Sequence, residues 1–256
     1  MRLTFAGHST ILIEQGAARL LTDPILHGRI GHLTRHPVPV PATTWSDLTA
    51  VLVSHGHLDH LHKRSLLKID RKVPVLTPIG LGRIVTKYGF GDVHEIAVGE
   101  SVELGDSRVT AFYADHDVRR HPLSDPSPAL SYVIDSGTAG TGARAWFAGD
   151  TDVFARMKEL ADGPLAPIDV ALLPVWGWGP SLGPGHMDPH AAAQAVGLVE
   201  PRVAVPIHWG TLLPAGMAKV RQELLVDPPH AFKRFVEDLG TRSEVRILSP
   251  GESTEI

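Results

Sequence analysis

The stretch Val51-Leu52-Val53-Ser54-His55-Gly56-His57-Leu58-Asp59-His60 begins as an apolar run of strand type and stops in four potential metal ligands. An ordinary loop gains little from three imidazoles and a carboxylate placed so close together, and the imidazoles repel one another when protonated. A divalent ion removes that difficulty, because neutral histidine nitrogen and aspartate oxygen are usual ligands of zinc and of similar ions. His55 and His57, two apart in an extended segment, point to one side, whereas Asp59 and His60 follow in a turn and are displaced along the chain. A single tetrahedral ion would struggle to take all four from so short a loop, so the spacing implies more than one ion.

Working outward, other ligand-type residues fall in the same kind of place. The run from Val109 to Asp115 is strand-like and ends in His116; Ala145 to Gly149 ends in Asp150; Val203 to Ile207 ends in His208. With His55 these make four apolar strands, each finishing in a ligand. Ligand sites in open α/β sheets gather beyond the carboxyl ends of strands, so the pattern predicts convergence on one edge of the fold.

Toward the N-terminus, Leu3 to Ala6, Thr10 to Glu14 and Arg19 to Thr22 read as consecutive antiparallel strands broken by Gly7 and by Gln15-Gly16. His8, in the first turn, either lines a site or bonds locally. Pro24 stops the meander and leaves Asp23 at a strand end, where it either reaches a metal-bound histidine or caps the turn. His27 to Thr44 lacks periodicity and reads as a long surface loop. Beyond the metal loop, Lys63 to Ile69 and Leu81 to Tyr88 read as short helices. Strands are expected at Val73 to Leu76, Val93 to Val98, Val102 to Leu104 and Arg108 to Tyr113. A helix starting at Pro189 with Asp188 as N-cap, a second from about His230 to Leu239, and a last strand from Val245 to Leu248 complete a layered α/β arrangement.

Composition bounds the answer. A length of 256 residues, 43% hydrophobic and 20% charged, is within reach of one core, and a single domain over 1–256 is expected. Fifteen histidines against three tyrosines is a bias that metal ligation explains. There is no cysteine, hence no disulfide and no thiolate ligand or nucleophile. A formal charge of -4 without a basic run removes the footprint of a nucleic-acid binder. No apolar run approaches the ~18 residues of a membrane span and no signal-peptide order opens the chain, so a cytoplasmic protein without stable membrane insertion is expected. The sequence is silent on oligomeric state.

His55-Gly56-His57-Leu58-Asp59-His60, His116, Gly149-Asp150-Thr151 and His208, in that order, resemble the metallo-β-lactamase superfamily. The closer resemblance is to the branch containing the N-acylphosphatidylethanolamine phospholipase D-like and ascorbate-6-phosphate lactonase-like proteins. Its marks are Gly7-His8-Ser9-Thr10, Leu21-Thr22-Asp23-Pro24, Phe147 to Thr151, Ile168 to Pro174, His186-Met187-Asp188-Pro189 and Ile207 to Thr211. The resemblance implies a four-layer αββα sandwich of the metallo-β-lactamase type with a dinuclear site at one edge. It implies that His55, His57 and His116 hold the first ion, that Asp59, His60 and His208 hold the second, and that Asp150 bridges both. Ligation by nitrogen and oxygen alone suits zinc first, with manganese or iron as alternatives. Two such ions 3.5–4 Å apart share a water whose pKa falls towards roughly 7, and the bridging hydroxide is the nucleophile. Asp59 orients that hydroxide or shuttles a proton. His186 lies near the active site in the resembling family and is expected to contact substrate or transfer a proton.

Departures from the wider family narrow the substrate. The absence of cysteine excludes the subclasses that use a cysteine ligand, and Tyr113 to Asp117 differs from the glyoxalase II pattern. The 106 residues after Asp150 are just enough to complete the sandwich, so the second domain usual in the nucleases is not expected. Arg119 and Arg120 either clamp an anion or form a solvated surface; Trp176 and Trp178 either wall the pocket or pack beneath their loop. The expected function is hydrolysis of a small anionic ester, a phosphodiester or a lactone. The alternatives are a phospholipase D-type lipid phosphodiesterase and a metal-binding module without turnover.

Overall fold

The computed structural model describes residues 1–36, 39–117, 127–136, 142–179 and 181–256. Two seven-stranded sheets form its centre. The first runs, in spatial order, Ser253–Glu255, Arg2–Gly7, Thr10–Gln15, Ala18–Thr22, Ala50–Leu52, Val75–Pro78 and Val93–Ile96. The second runs Glu244–Val245, Val203–Ile207, Val170–Pro174, Arg144–Phe147, Leu130–Ser136, Ser107–Tyr113 and Ser101–Leu104. Each sheet is antiparallel through four strands and parallel through the rest, so the two share one pairing pattern, although the antiparallel edge strand of the first, Ser253–Glu255, comes from the other end of the chain.

Side-chain alternation explains why the sheets stack. Successive strand residues face opposite sides. Leu3, Phe5, Ile11, Ile13, Leu20, Ala50 and Leu52 join the cluster shared with the second sheet, where they meet Val109, Leu130, Tyr132, Phe147 and Leu172. Their alternates Leu12, Leu21, Val51 and Val53 turn outward onto Leu66, Ile69, Leu81, Val85 and Phe90. These belong to, or flank, the short helices Lys63–Leu66 and Gly82–Lys87. The second sheet's outer face is covered by the helices Pro189–Val199 and Asp227–Asp238, which contribute Ala192, Val196, Phe232 and Val236. Burial of both faces is why the central strands read as continuous apolar runs. Helix, sheet, sheet, helix is the four-layer order expected from the sequence.

Helix signals were local and correct in type. Asp188 caps Pro189–Val199, its Oδ1 accepting the Ala191 N–H at 2.8 Å. The expected loop 27–44 is instead partly strand: Arg29–Ile30 and Leu33–Arg35 form a hairpin that pairs with Leu212–Pro214. Its apolar residues Ile30 and Leu33 pack with Ile25 and Leu212 in a separate cluster. The last large-sheet strand, Ser253–Glu255, lies beyond the Val245 to Leu248 stretch and pairs with Arg2–Thr4.

The parallel halves set the edge where ligand-type residues collect. Thr22 pairs with Leu52 and Leu52 with Leu76, so Asp23 emerges beside Val53-Ser54. Phe147, Leu172 and Val205 stand in register, so Asp150 and His208 leave the second sheet on the same side.

Candidate metal centre

Four of the imidazoles at that edge, His55, His60, His116 and His208, are each tethered by a hydrogen bond at Nδ1. His60 Nδ1 donates to Asp23 Oδ2 at 2.8 Å. Asp23, fully buried at a φ of 33°, also accepts the Ser54 N–H at 2.7 Å and the Ser54 hydroxyl at 2.5 Å. The Ser54 oxygen in turn accepts from His55 Nδ1 at 2.9 Å. One carboxylate thus orients His60 directly and His55 through a serine. His116 Nδ1 donates to the Gly185 carbonyl at 2.7 Å and His208 Nδ1 to the Trp176 carbonyl at 2.6 Å.

With Nδ1 used for donation, the neutral forms of His55, His60, His116 and His208 present an Nε2 lone pair, and these lone pairs face one another. His60 Nε2 is 3.2 Å from His208 Nε2 and 3.1 Å from Asp150 Oδ2. His57 Nδ1 is 3.1 Å from His55 Nε2 and 3.2 Å from His116 Nε2. Acceptors crowded like this repel unless a cation lies among them. The spacing suits one, since metal–nitrogen bonds of 2.0–2.1 Å in a tetrahedron put ligands about 3.3 Å apart. Groups able to hold an ion include His55, His57 and His116, and His8, Asp59, His60 and His208. Asp150 stands between them: Oδ2 is 3.9 Å from His55 Nε2, and the buried Oδ1, 3.2 Å from His208 Nε2, lacks a hydrogen bond. The donor set therefore fits a divalent metal centre.

Electrostatics agree. Burial, with the neighbouring imidazoles, pushes His55 well below its ordinary pKa and His57 down to about 4; burial also lowers His116. These are neutral and ready to ligate. Burial also disfavours charge on His60 and His208, but Asp150 and the other nearby carboxylates outweigh it, and both are raised. Burial alone would raise Asp59 and Asp150, yet His60 for the first and His208 with His60 for the second hold them well below the usual carboxylate range. The carboxylate side of the centre therefore calls for positive charge, which a proton or a metal supplies.

Glycines make the approach possible. Gly149, at a φ of 62°, lies so close to Ser54 that an added Cβ would stand 2.9 Å from the serine Cβ. Gly7, at a φ of 108°, would collide with Thr211 Oγ1 at 2.7 Å. The same Thr211 oxygen accepts the His8 N–H at 2.8 Å.

Other candidate residues separate in space. His8 is buried, its Nε2 3.2 Å from Asp59 Oδ2 and its ring 3.9 Å from that of His208, so it supports ligands rather than meeting solvent. Trp178 Nε1 donates to the same Asp59 oxygen at 3.1 Å. Trp176 packs against the main core, with its indole N–H buried and unpartnered, and reaches the centre only through its carbonyl. His186 lies at the open side, Nε2 3.6 Å from Asp150 Oδ2. A small cleft of about 120 Å³, lined by Trp178, Ser181, Leu182, His186 and His208, opens there. Arg119 and Arg120 lie outside the described residues. Residue types did not reveal Ser54 or the carbonyls of Trp176 and Gly185, because a serine relay and a backbone acceptor look like any other serine or loop.

A family model described as a beta-lactamase superfamily domain matches residues 18–209. A UPF0173 metal-dependent hydrolase of Methanopyrus kandleri is 33% identical, the alignment covering 100% of each chain. Among solved structures, a possible metal-dependent hydrolase from Veillonella parvula matches with a TM-score of 0.78 at 16% identity, covering 100% of this chain and 99% of the other. Igni18, a metallo hydrolase from Ignicoccus hospitalis, matches with a TM-score of 0.71 at 22% identity, covering 100% and 98%. At such identities the two structures speak for the fold.

Proposed function

Since the chain belongs to the beta-lactamase superfamily, we propose that it is a metal-dependent hydrolase with a dinuclear centre, acting on a small anionic ester, a phosphodiester or a lactone. The observation that carries this is the set of Nδ1-tethered imidazoles whose free nitrogens face each other across Asp150. His55, His57 and His116 would hold the first ion, Asp59, His60 and His208 the second, with Asp150 shared. Bound there, two divalent ions, zinc first and manganese or iron as alternatives, supply Lewis acidity and a water acidified towards roughly pKa 7.

The chain's own residues do the rest. Asp59 and Asp150 offset only part of the charge that two divalent ions bring, so the centre stays positive and favours an anionic substrate. His186 Nδ1 faces the carbonyls of Gly183 and Pro184, each at 3.2 Å, which directs its Nε2 toward Asp150 and the cleft. From there its Nε2 lone pair takes up the proton that the attacking water loses and passes it to the leaving oxygen. Trp178 and Leu182 narrow the cleft and exclude water. Hydrolysis is supported by relatives named metal-dependent hydrolases, and the ester class by the phospholipase-like and lactonase-like motifs. No helix among the described residues is long and apolar enough to cross a membrane.

The test is turnover of a generic phosphodiester and a simple lactone, side by side, by metal-loaded protein, with Asp150→Ala as control. Cleavage of either, lost in the variant, is the expected result. Phosphodiester cleavage makes lipids the next substrates to try; absence of both activities with metal bound points to a binding module.

A further inference from the structure

Asp59 carries two contacts that metal ligation does not require. His8 Nε2 and Trp178 Nε1 converge on one oxygen, Oδ2, at 3.2 and 3.1 Å. A carboxylate can only accept and an indole N–H can only donate, so Trp178 is a donor; His8 donates as well, in its Nε2–H form. The donors come from distant parts of the chain and are themselves fixed. His8 is held in the left-handed region, at a φ of 57°, by its N–H bond to Thr211 and by its carbonyl, which accepts the His208 N–H at 2.8 Å. Trp178 packs against the cluster of the 29–35 hairpin, and its ring stands edge-on to His32 with centroids 5.5 Å apart.

We propose that His8 and Trp178 are positioning residues that clamp Asp59 by Oδ2 and so set the affinity of the second ion. The proposal rests on the dinuclear reading. Two donors on one oxygen fix the rotation of the carboxylate, which a single bond to a metal would leave free. They also tie that ligand to the cleft, because Trp178 is at once a wall of the cleft and a donor to Asp59. Trp178, the 29–35 hairpin and the second metal position therefore form one connected unit. The first position meets that loop at Gly185, whose carbonyl accepts from His116 Nδ1, and not at Trp178.

The experiment is titration of metal-free protein with Co(II), followed by calorimetry and by visible absorbance, which report each ion without any substrate. Wild type is expected to show two binding steps. Trp178→Phe, which keeps a ring in the hairpin cluster but loses the N–H, is expected to weaken the second step about ten- to a hundredfold and leave the first unchanged. His8→Ala is expected to do the same, and His8→Gln, which restores a side-chain N–H, to recover part of the loss. A general packing defect would lower thermal stability without singling out one step. A wild-type second step in folded Trp178→Phe overturns the proposal, and this variant decides the matter if His8→Ala does not fold. A wild-type protein that takes up a single ion overturns the dinuclear reading, and that result comes before any variant is made.

Discussion

Replacement of Asp23 should damage the protein in two separable ways. Its carboxylate is fully buried and accepts three hydrogen bonds, from the Ser54 N–H, the Ser54 hydroxyl and His60 Nδ1. Asp23→Ala strands the Ser54 N–H and His60 Nδ1, each a buried donor costing about 1–3 kcal/mol when unpaired. The sum agrees with the roughly 3–5 kcal/mol found on breaking buried charged pairs. That is a large share of a typical stability of about 5–15 kcal/mol. Asp23→Asn is subtler: its amide N–H₂ replaces an acceptor facing His60 Nδ1, so His60 is driven to carry its proton on Nε2, the nitrogen that faces Asp150. Affinity for the second ion should fall about ten- to a hundredfold, or about 1.4–2.7 kcal/mol. Urea denaturation of the metal-free variants measures the first effect and calorimetric metal titration the second. Wild-type unfolding of Asp23→Ala together with wild-type metal affinity of Asp23→Asn would refute the assigned role of this carboxylate.

Acidification should release the two ions unequally. His60 and His208 are raised, so in the metal-free chain they hold a proton more tightly than an ordinary imidazole and an incoming ion must displace it; affinity for the second ion should fall as pH drops from 8 to 6, with protons released on binding. His55 and His116 are lowered and His57 lies at about 4, so the first step should stay nearly flat over that range; calorimetry in buffers of different ionisation enthalpy measures both. His186→Gln should keep both ions but lower kcat about 10²–10⁴-fold, read by steady-state kinetics on whichever ester is cleaved. Gly149→Ala should destabilise by at least about 1–2 kcal/mol from its left-handed backbone alone, since its Cβ would also press on Ser54 at 2.9 Å. Asp188→Ala should cost about 1 kcal/mol in denaturation through the lost cap of Pro189–Val199, with metal affinity unchanged.

What the sequence made legible was local. The HxHxDH loop, the strand ends at His116, Asp150 and His208, and the Asp188-Pro189 helix start are each contained in a few consecutive residues, whose types report their chemistry. Contacts across the chain were not legible. Ser253–Glu255 is polar and short, and becomes a strand only because Arg2–Thr4 offers an open edge. The 29–35 hairpin looked like a loop because each strand is two or three residues long and its partner, Leu212–Pro214, lies far away in sequence. Two tryptophans two residues apart looked equivalent, yet one faces the core and the other bonds Asp59. His8, a turn residue with two open readings, proved to be buried against His208. In each case tertiary pairing decided what propensity left open.

The most direct test of the dinuclear centre is a crystal of metal-loaded protein with anomalous diffraction measured at the absorption edge of the bound metal. Two peaks are predicted, about 3.5–4 Å apart, one among His55, His57 and His116, the other among Asp59, His60 and His208, with Asp150 between. A single peak, or peaks away from these side chains, would contradict it.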